Sequence, residues 1–232
     1  MPEYLIFQLV AAIGAMGEFG GHDRRGSLTL PGRSAVIGTL GAAMGLRRDA
    51  DFSGLDALGV AVASFGKTAP FRDYHTVQTV PSAAVKRPQS RPQALRDAGR
   101  KVNTTLTSRD YRADCVFGVA IWGEGLAELA SALSAPVFQT FLGRKSCPLS
   151  APFDPQIVAA ATPSAALSQL RLPPWIGARE MDMIVADEGT DLGAPSILET
   201  RHDRALDRTL WHFGKGRYAV AHPAIRAGEA KT

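Results

Sequence analysis

The sequence predicts an α+β fold of the split βαβ, ferredoxin-like type. Two observations carry this. Apolar runs of strand length alternate with helix-period segments in the order strand, helix, two strands, strand, helix, and one long cationic, proline-broken stretch interrupts that order after the third strand. With 232 residues, 45% hydrophobic and 21% charged, the chain can bury a real core.

Residues 4–10 are apolar and rich in aromatic and branched side chains, which predicts the first strand. Glycines at 14, 17, 20, 21 and 26 follow and predict a flexible loop. Over 34–46, Val36, Ile37, Leu40, Ala43 and Met44 recur at helical spacing, with Ser34 available as the N-cap. Gly38, Gly41 and Gly45 each weaken that helix by up to about 1 kcal/mol relative to Ala, and their spacing on one side predicts a close approach to another element. Residues 60–65 and 71–80 read as two further strands, and 115–122 as another, followed by an amphipathic helix over 125–134.

Between 81 and 101 the pattern collapses. Prolines stand at 81, 88 and 92 and large apolar residues are few. A loop of about 20 residues without a core pattern is uncommon in a compact domain, so this segment predicts a projecting arm or flexible hairpin. Beyond it, 164–170 reads as helix and 183–186 and 218–221 as strands. The organisation predicted is a main domain over 1–150, with the arm at about 78–108, and a smaller, irregular, β-rich C-terminal region over 151–232.

Charge is concentrated where the pattern fails. The chain carries 26 Lys and Arg against 22 Asp and Glu, a net +4. Residues 86–112 hold eight cations (Lys86, Arg87, Arg91, Arg96, Arg100, Lys101, Arg109, Arg112) against Asp97 and Asp110, a local +6. Such a run suits a polyanion, against the ordinary alternative of a solvated face. A second cluster, Arg24, Arg25 and Arg33, precedes a helix N-terminus, a favourable place for phosphate. A third, Gly143-Arg144-Lys145-Ser146, is a tight basic turn but not a phosphate loop of the Walker type, since Arg144 separates Gly143 from Lys145.

On the strand at 71–77, alternation places Arg72, Tyr74 and Thr76 on one face and Asp73, His75 and Val77 on the other. One face can stack a base on Tyr74 and hold phosphate with Arg72. Alternatively, His75 can act as general base in a metal-independent endoribonuclease, assisted by Tyr74 or Lys145, although a lone His near an acid is more often structural. Other enzyme signatures fail: there is no GxSxG or HExxH, the SxxK at Ser64 lacks its companion motifs, and His22, His75, His202, His212 and His222 lack metal-ligand spacing. Two distant cysteines, Cys115 and Cys147, suggest no disulfide framework, and the N-terminus has neither a basic n-region nor an unbroken apolar span. A cytoplasmic protein without cofactor or metal is expected.

Four blocks carry a family resemblance: Tyr4-Leu5-Ile6-Phe7, the run from Pro31-Gly32-Arg33-Ser34 through Ala42, Arg72-Asp73-Tyr74-His75-Thr76-Val77, and Leu142-Gly143-Arg144-Lys145-Ser146-Cys147-Pro148-Leu149. In that order they resemble the CasD family of the type I-E Cascade complex, over about the first two thirds of the chain. The resemblance implies a RAMP-type, RRM-like, ferredoxin-like domain with a protruding basic thumb. It also implies a non-catalytic role: capping the 5′ handle of the CRISPR RNA beside the Cascade backbone and large subunits, with target DNA met only through the complex and no membrane involved. Related type I-C members cleave RNA, which keeps the endoribonuclease as the alternative.

Two departures from the family pattern stand out, a thumb at 78–108 that is longer and more basic, and Met16 where an aromatic residue often precedes Gly17. The RNA-binding set expected is Arg24, Arg25, Arg33, Ser34, Arg72, Tyr74, His75, Lys86, Arg87, Arg91, Arg100, Lys101, Arg109, Arg144, Lys145 and Ser146. Within it, Arg33, Arg72, His75, Arg144 and Lys145 are expected along one groove.

Overall fold

A long antiparallel sheet organises the chain, in a computed structural model that describes residues 1–18, 20–21 and 23–228. Its first four members in space are β6 (Gln156–Ala159), β1 (Glu3–Gly14), β5 (Asn103–Trp122) and β3 (Gly59–Phe65). With helices α1 (Arg33–Ala43) and α4 (Leu126–Ser134), this is the expected ferredoxin-like arrangement, each helix linking strands that flank a third.

Strand β1 is apolar on both faces, interrupted only by Gln8, because both its faces are covered. Leu5, Phe7 and Leu9 join one core with Val36, Ile37 and Leu40 of α1 and Leu129 and Leu133 of α4. Tyr4, Ile6 and Val10 face a second core with Leu167 and Leu170. Burying a side chain such as Phe7 or Ile37 contributes about 1.5–3 kcal/mol, so these two layers are the main stabilising feature.

Helix α1 begins differently from the expectation. Gly32, not Ser34, occupies the cap position, and Ser34 lies one residue inside the helix where its hydroxyl makes no capping bond. The cap comes from 170 residues away: the Asp203 carboxylate accepts the Arg33 backbone N–H at 2.8 Å. A Cβ on Gly32 would stand 2.4 Å from that carboxylate, so the glycine makes room for it. Of the three helix glycines, Gly41 packs against the Phe52 ring and Gly45 ends the helix at φ +78° beneath Val137, whereas Gly38 faces open space and makes no close approach.

The arm is more regular than its composition suggests. Strand β4 (Ala69–Thr79) pairs with the first half of β5 from Ala69↔Ala113 to Thr79↔Asn103, forming a long ribbon. Between them lies α3 (Arg91–Ala98), absent from the sequence-based expectation. Its apolar inner side consists only of Ala94 and Ala98, too little for a periodic signal, but Ser90 caps it by accepting the Gln93 N–H and Pro92 sits in its first turn. Strand β5 starts at Asn103 rather than 115 because its ribbon half is mostly exposed and polar and carries no buried apolar face.

The sheet continues past residue 150. Strand β6 pairs with β1, and β7 (Arg179–Asp187) adds to the other side at β3, followed by β9 (His212–Ala221) and β8 (Ser196–Asp207). The expected helix at 164–170 is α5 (Pro163–Leu167). Edge strand β8 was not expected, since its residues are largely exposed. The last four residues of the C-terminal region lie outside the described residues.

Candidate nucleic-acid interface

The base of the arm collects three arginines from distant parts of the chain. Arg72 on β4 stands directly opposite Asp110 on β5, so the strand register itself brings them together, with Arg72 Nε donating to the carboxylate at 2.6 Å. Arg24 lies on β2 (Arg24–Arg25), which pairs in parallel with β5 at Ser108 and Arg109, and its Nε donates to the same carboxylate at 2.9 Å. Arg144 donates to the Asp110 carbonyl at 3.3 Å. Hydrogen bonds from Arg72, and then from Arg24, hold the Asp110 carboxyl down at about 2, so it stays ionised and keeps the cluster assembled.

The basic turn is built to present Arg144, Lys145 and Ser146. Leu142 and Cys147 are buried, while Lys145 and Ser146 are exposed. Leu142 N–H donates to the Cys147 carbonyl at 2.8 Å, and Ala15 N–H donates to the Leu142 carbonyl, pinning the turn to the end of β1. Gly143 sits at φ +85°, and a Cβ there would collide with the Ala15 carbonyl, so no other residue fits. The Arg144 guanidinium lies 4.5 Å from the Tyr111 ring centroid, and Tyr111 stacks on Phe71 at 5.2 Å with planes 12° apart. Phe71, Arg24, Arg72, Asp110, Tyr111 and Arg112 help line a cavity of about 800 Å³.

The expected set divides. Arg24, Arg72 and Arg144 converge around Asp110, with Lys145 and Ser146 beside them in the turn. Lys86, Arg87, Arg91, Arg100 and Lys101 are exposed along the arm, Arg91 donating to the Gln78 carbonyl. Arg25 is exposed on β2, and Arg109 is half-buried opposite Asp73. Tyr74 is 60% exposed on β4. His75, one residue on, emerges from the other face, its Nε2 2.6 Å from the Asp73 carboxylate.

Arg33 departs from the single-groove expectation, and Ser34 stays half-buried in the first turn of α1. The Arg33 side chain is turned inward: Nε donates to Asp187 at 3.1 Å and Nη2 to the carbonyls of Asp56 and Leu58 at 2.9 and 2.8 Å. It lines a different cleft, of about 720 Å³, with Asp187, Arg204 and Arg217. Burial pushes the Asp187 carboxyl upward, and the Arg33 charge opposes that shift. A buried-facing arginine, its side chain only 13% exposed and its donors satisfied within the fold, is a structural tie.

Sequence reasoning missed Asp110, Tyr111 and Phe71. A signal for the first was present: the triplet Arg-Asp-Tyr occurs at 72–74 and again at 109–111. Antiparallel pairing sets Arg72 against Asp110 and Asp73 against Arg109, so the repeat encodes the ribbon register. His22 lies outside the described residues. Among the described residues no group of three or more His, Cys, Asp or Glu is placed to hold a metal, and no helix is long and apolar enough to cross a membrane.

Comparison with known proteins gives the family. A model of the CRISPR-associated protein family Cas5 matches residues 4–218. The chain belongs to that family. The CRISPR system Cascade subunit CasD of Escherichia coli strain K12 is 32% identical over 186 residues, covering 72% of this chain and 76% of that protein. In three dimensions this Cas5-family chain is similar to a chain of a CRISPR RNA-guided surveillance complex, at a TM-score of 0.70 and 24% identity, over 97% of this chain and 91% of the other. A second solved structure, a Cas protein, gives a TM-score of 0.61 at 22% identity over 96% and 94%. At those identities the two structures speak for the fold, and they agree with the ferredoxin-like order of β6, β1, β5 and β3.

Proposed function

We propose that this Cas5-family chain is a non-catalytic, RNA-binding subunit of a type I-E Cascade surveillance complex, capping the 5′ handle of the CRISPR RNA beside the backbone and large subunits. The observation that carries this reading is the convergence of Arg24, Arg72 and Arg144 around Asp110 at the root of an arm studded with exposed Lys86, Arg87, Arg91, Arg100 and Lys101. Phosphates along a single strand meet the root cluster first and the arm next, with the arm over 78–108 acting as the clamp. Target DNA is met only through the complex, in the cytoplasm. The relative named as a Cascade subunit supports the assembly part of this reading.

The test uses assembled complex carrying Arg144→Ala and Lys145→Ala. Weaker retention of handle RNA, with a shallower dependence on salt, is the expected result. Retention equal to wild type sinks the assignment. The Asp73–His75 pair favours one alternative, a metal-independent endoribonuclease with His75 as base. Repeat RNA incubated with the protein in EDTA decides that point: a defined product lost in His75→Ala establishes the enzyme and overturns the non-catalytic reading.

A further inference from the structure

The stack Arg144–Tyr111–Phe71 ends in a ring with a face to spare. Tyr111 is buried, with the Arg144 guanidinium 4.5 Å from its ring centroid and the Phe71 ring stacked on it at 5.2 Å. Phe71 remains 41% exposed, on β4, which is paired only with β5 among the described residues. It opens on the cavity of about 800 Å³ lined also by Arg24 and Arg72 with their partner Asp110, by Arg201 paired to Glu199, and by Arg112 and Glu18.

We propose that Phe71 is a stacking platform for one unpaired base of the bound RNA, with Arg24, Arg72 and Arg112 meeting the flanking phosphates. The inference rests on the RNA-binding reading above and adds to it a single-nucleotide subsite. A nucleotide offers a π face and an anion together, which matches an exposed ring flanked by Arg24, Arg72 and Arg112 on the RNA-binding side of the arm root. Tyr111 and the strand register hold Phe71 in place before any ligand arrives, so little side-chain freedom is lost on stacking. Tyr74, the stacking residue expected from sequence, lacks this support. It is 60% exposed, and among the described residues no ring packs behind it. Base identity is not read by Phe71, since every base presents a π face.

The test is made in the assembled complex, loaded with a series of handle RNAs in which each base in turn is replaced by 2-aminopurine. One position is expected to be quenched in a Phe71-dependent way. Phe71→Leu, which keeps apolar contact with Tyr111, loses that quenching, Phe71→Trp retains it, and Tyr74→Ala leaves it unchanged. Matching thermal melts show that the variants fold. If the complex holds its RNA but no position depends on Phe71, or if Tyr74→Ala abolishes the signal instead, the platform is wrong while the RNA reading stands. If RNA crosslinks to other subunits but never to this chain, both fall together.

Discussion

Arg33 and Arg72 both sit in sequence blocks that suggest phosphate contact, yet their surroundings differ in kind. Arg33 projects into the joint between α1 and the C-terminal strands, where Asp187, two backbone carbonyls and the edge of Asp56 take up its donors. Its side chain is 13% exposed against 41% for Arg72, which lies on an open ribbon with Asp110 and Arg24. An arginine surrounded by partners and away from water stabilises the fold, whereas one held at the surface by a single carboxylate remains available to a ligand. Residue type is the same at the two positions; solvent access separates the roles.

Three measurements can break that comparison. Arg33→Ala leaves the half-buried Asp187 with only the Val60 N–H as partner and is expected to cost about 3 kcal/mol in urea unfolding. RNA affinity per folded molecule should stay unchanged, and the reverse outcome would return Arg33 to the RNA groove. The same substitution at Arg72 should leave the urea midpoint nearly where it was while lowering RNA affinity.

A second, smaller effect probes the joint from its other side. Tyr218 donates to Asp203, the carboxylate that caps α1, and burial followed by this hydrogen bond raises the Tyr218 hydroxyl's pKa. Tyr218→Phe removes one of the bonds orienting the cap and should cost about 2 kcal/mol, read as a lower urea midpoint with no change in RNA binding.

The smallest effect lies at the arm root. Asp110 titrates at about 2 in the fold against an ordinary 3.8, so its folded value is the depressed one. Its pairing with Arg72 and Arg24 therefore contributes fully above pH about 4 and is lost as the pH falls through about 2. Following the Asp110 carboxyl by NMR should give this low midpoint, and Arg72→Ala should move it upward. A midpoint unaffected by Arg72→Ala would mean that the ion pairs seen at the root do not persist in solution.

Legibility followed burial. β1, β3, the second half of β5 and α4 were readable because buried faces impose apolar patterns on their residues. The ribbon half of β5, helix α3 and strand β8 were not, because they are held by backbone pairing and local caps with little apolar burial. Among site residues, Arg24, Arg72 and Arg144 were visible as cations in compact motifs. Asp110 is one of only two acids in a basic run and does not stand out there, although the repeated Arg-Asp-Tyr triplet holds its pairing partner in plain view.

By itself, the sequence determined the element order of the ferredoxin-like core, the position of the arm and the three cationic clusters, since these depend on periodicity and composition along the chain. Tertiary structure alone decided which cations share a site. Asp203 reaching the start of α1, Asp187 enclosing Arg33, and the Phe71–Tyr111–Arg144 stack all join residues far apart in sequence. The physical reason is that a charge has the same identity whether buried or exposed, and only the folded chain sets its distance from water and from its partners.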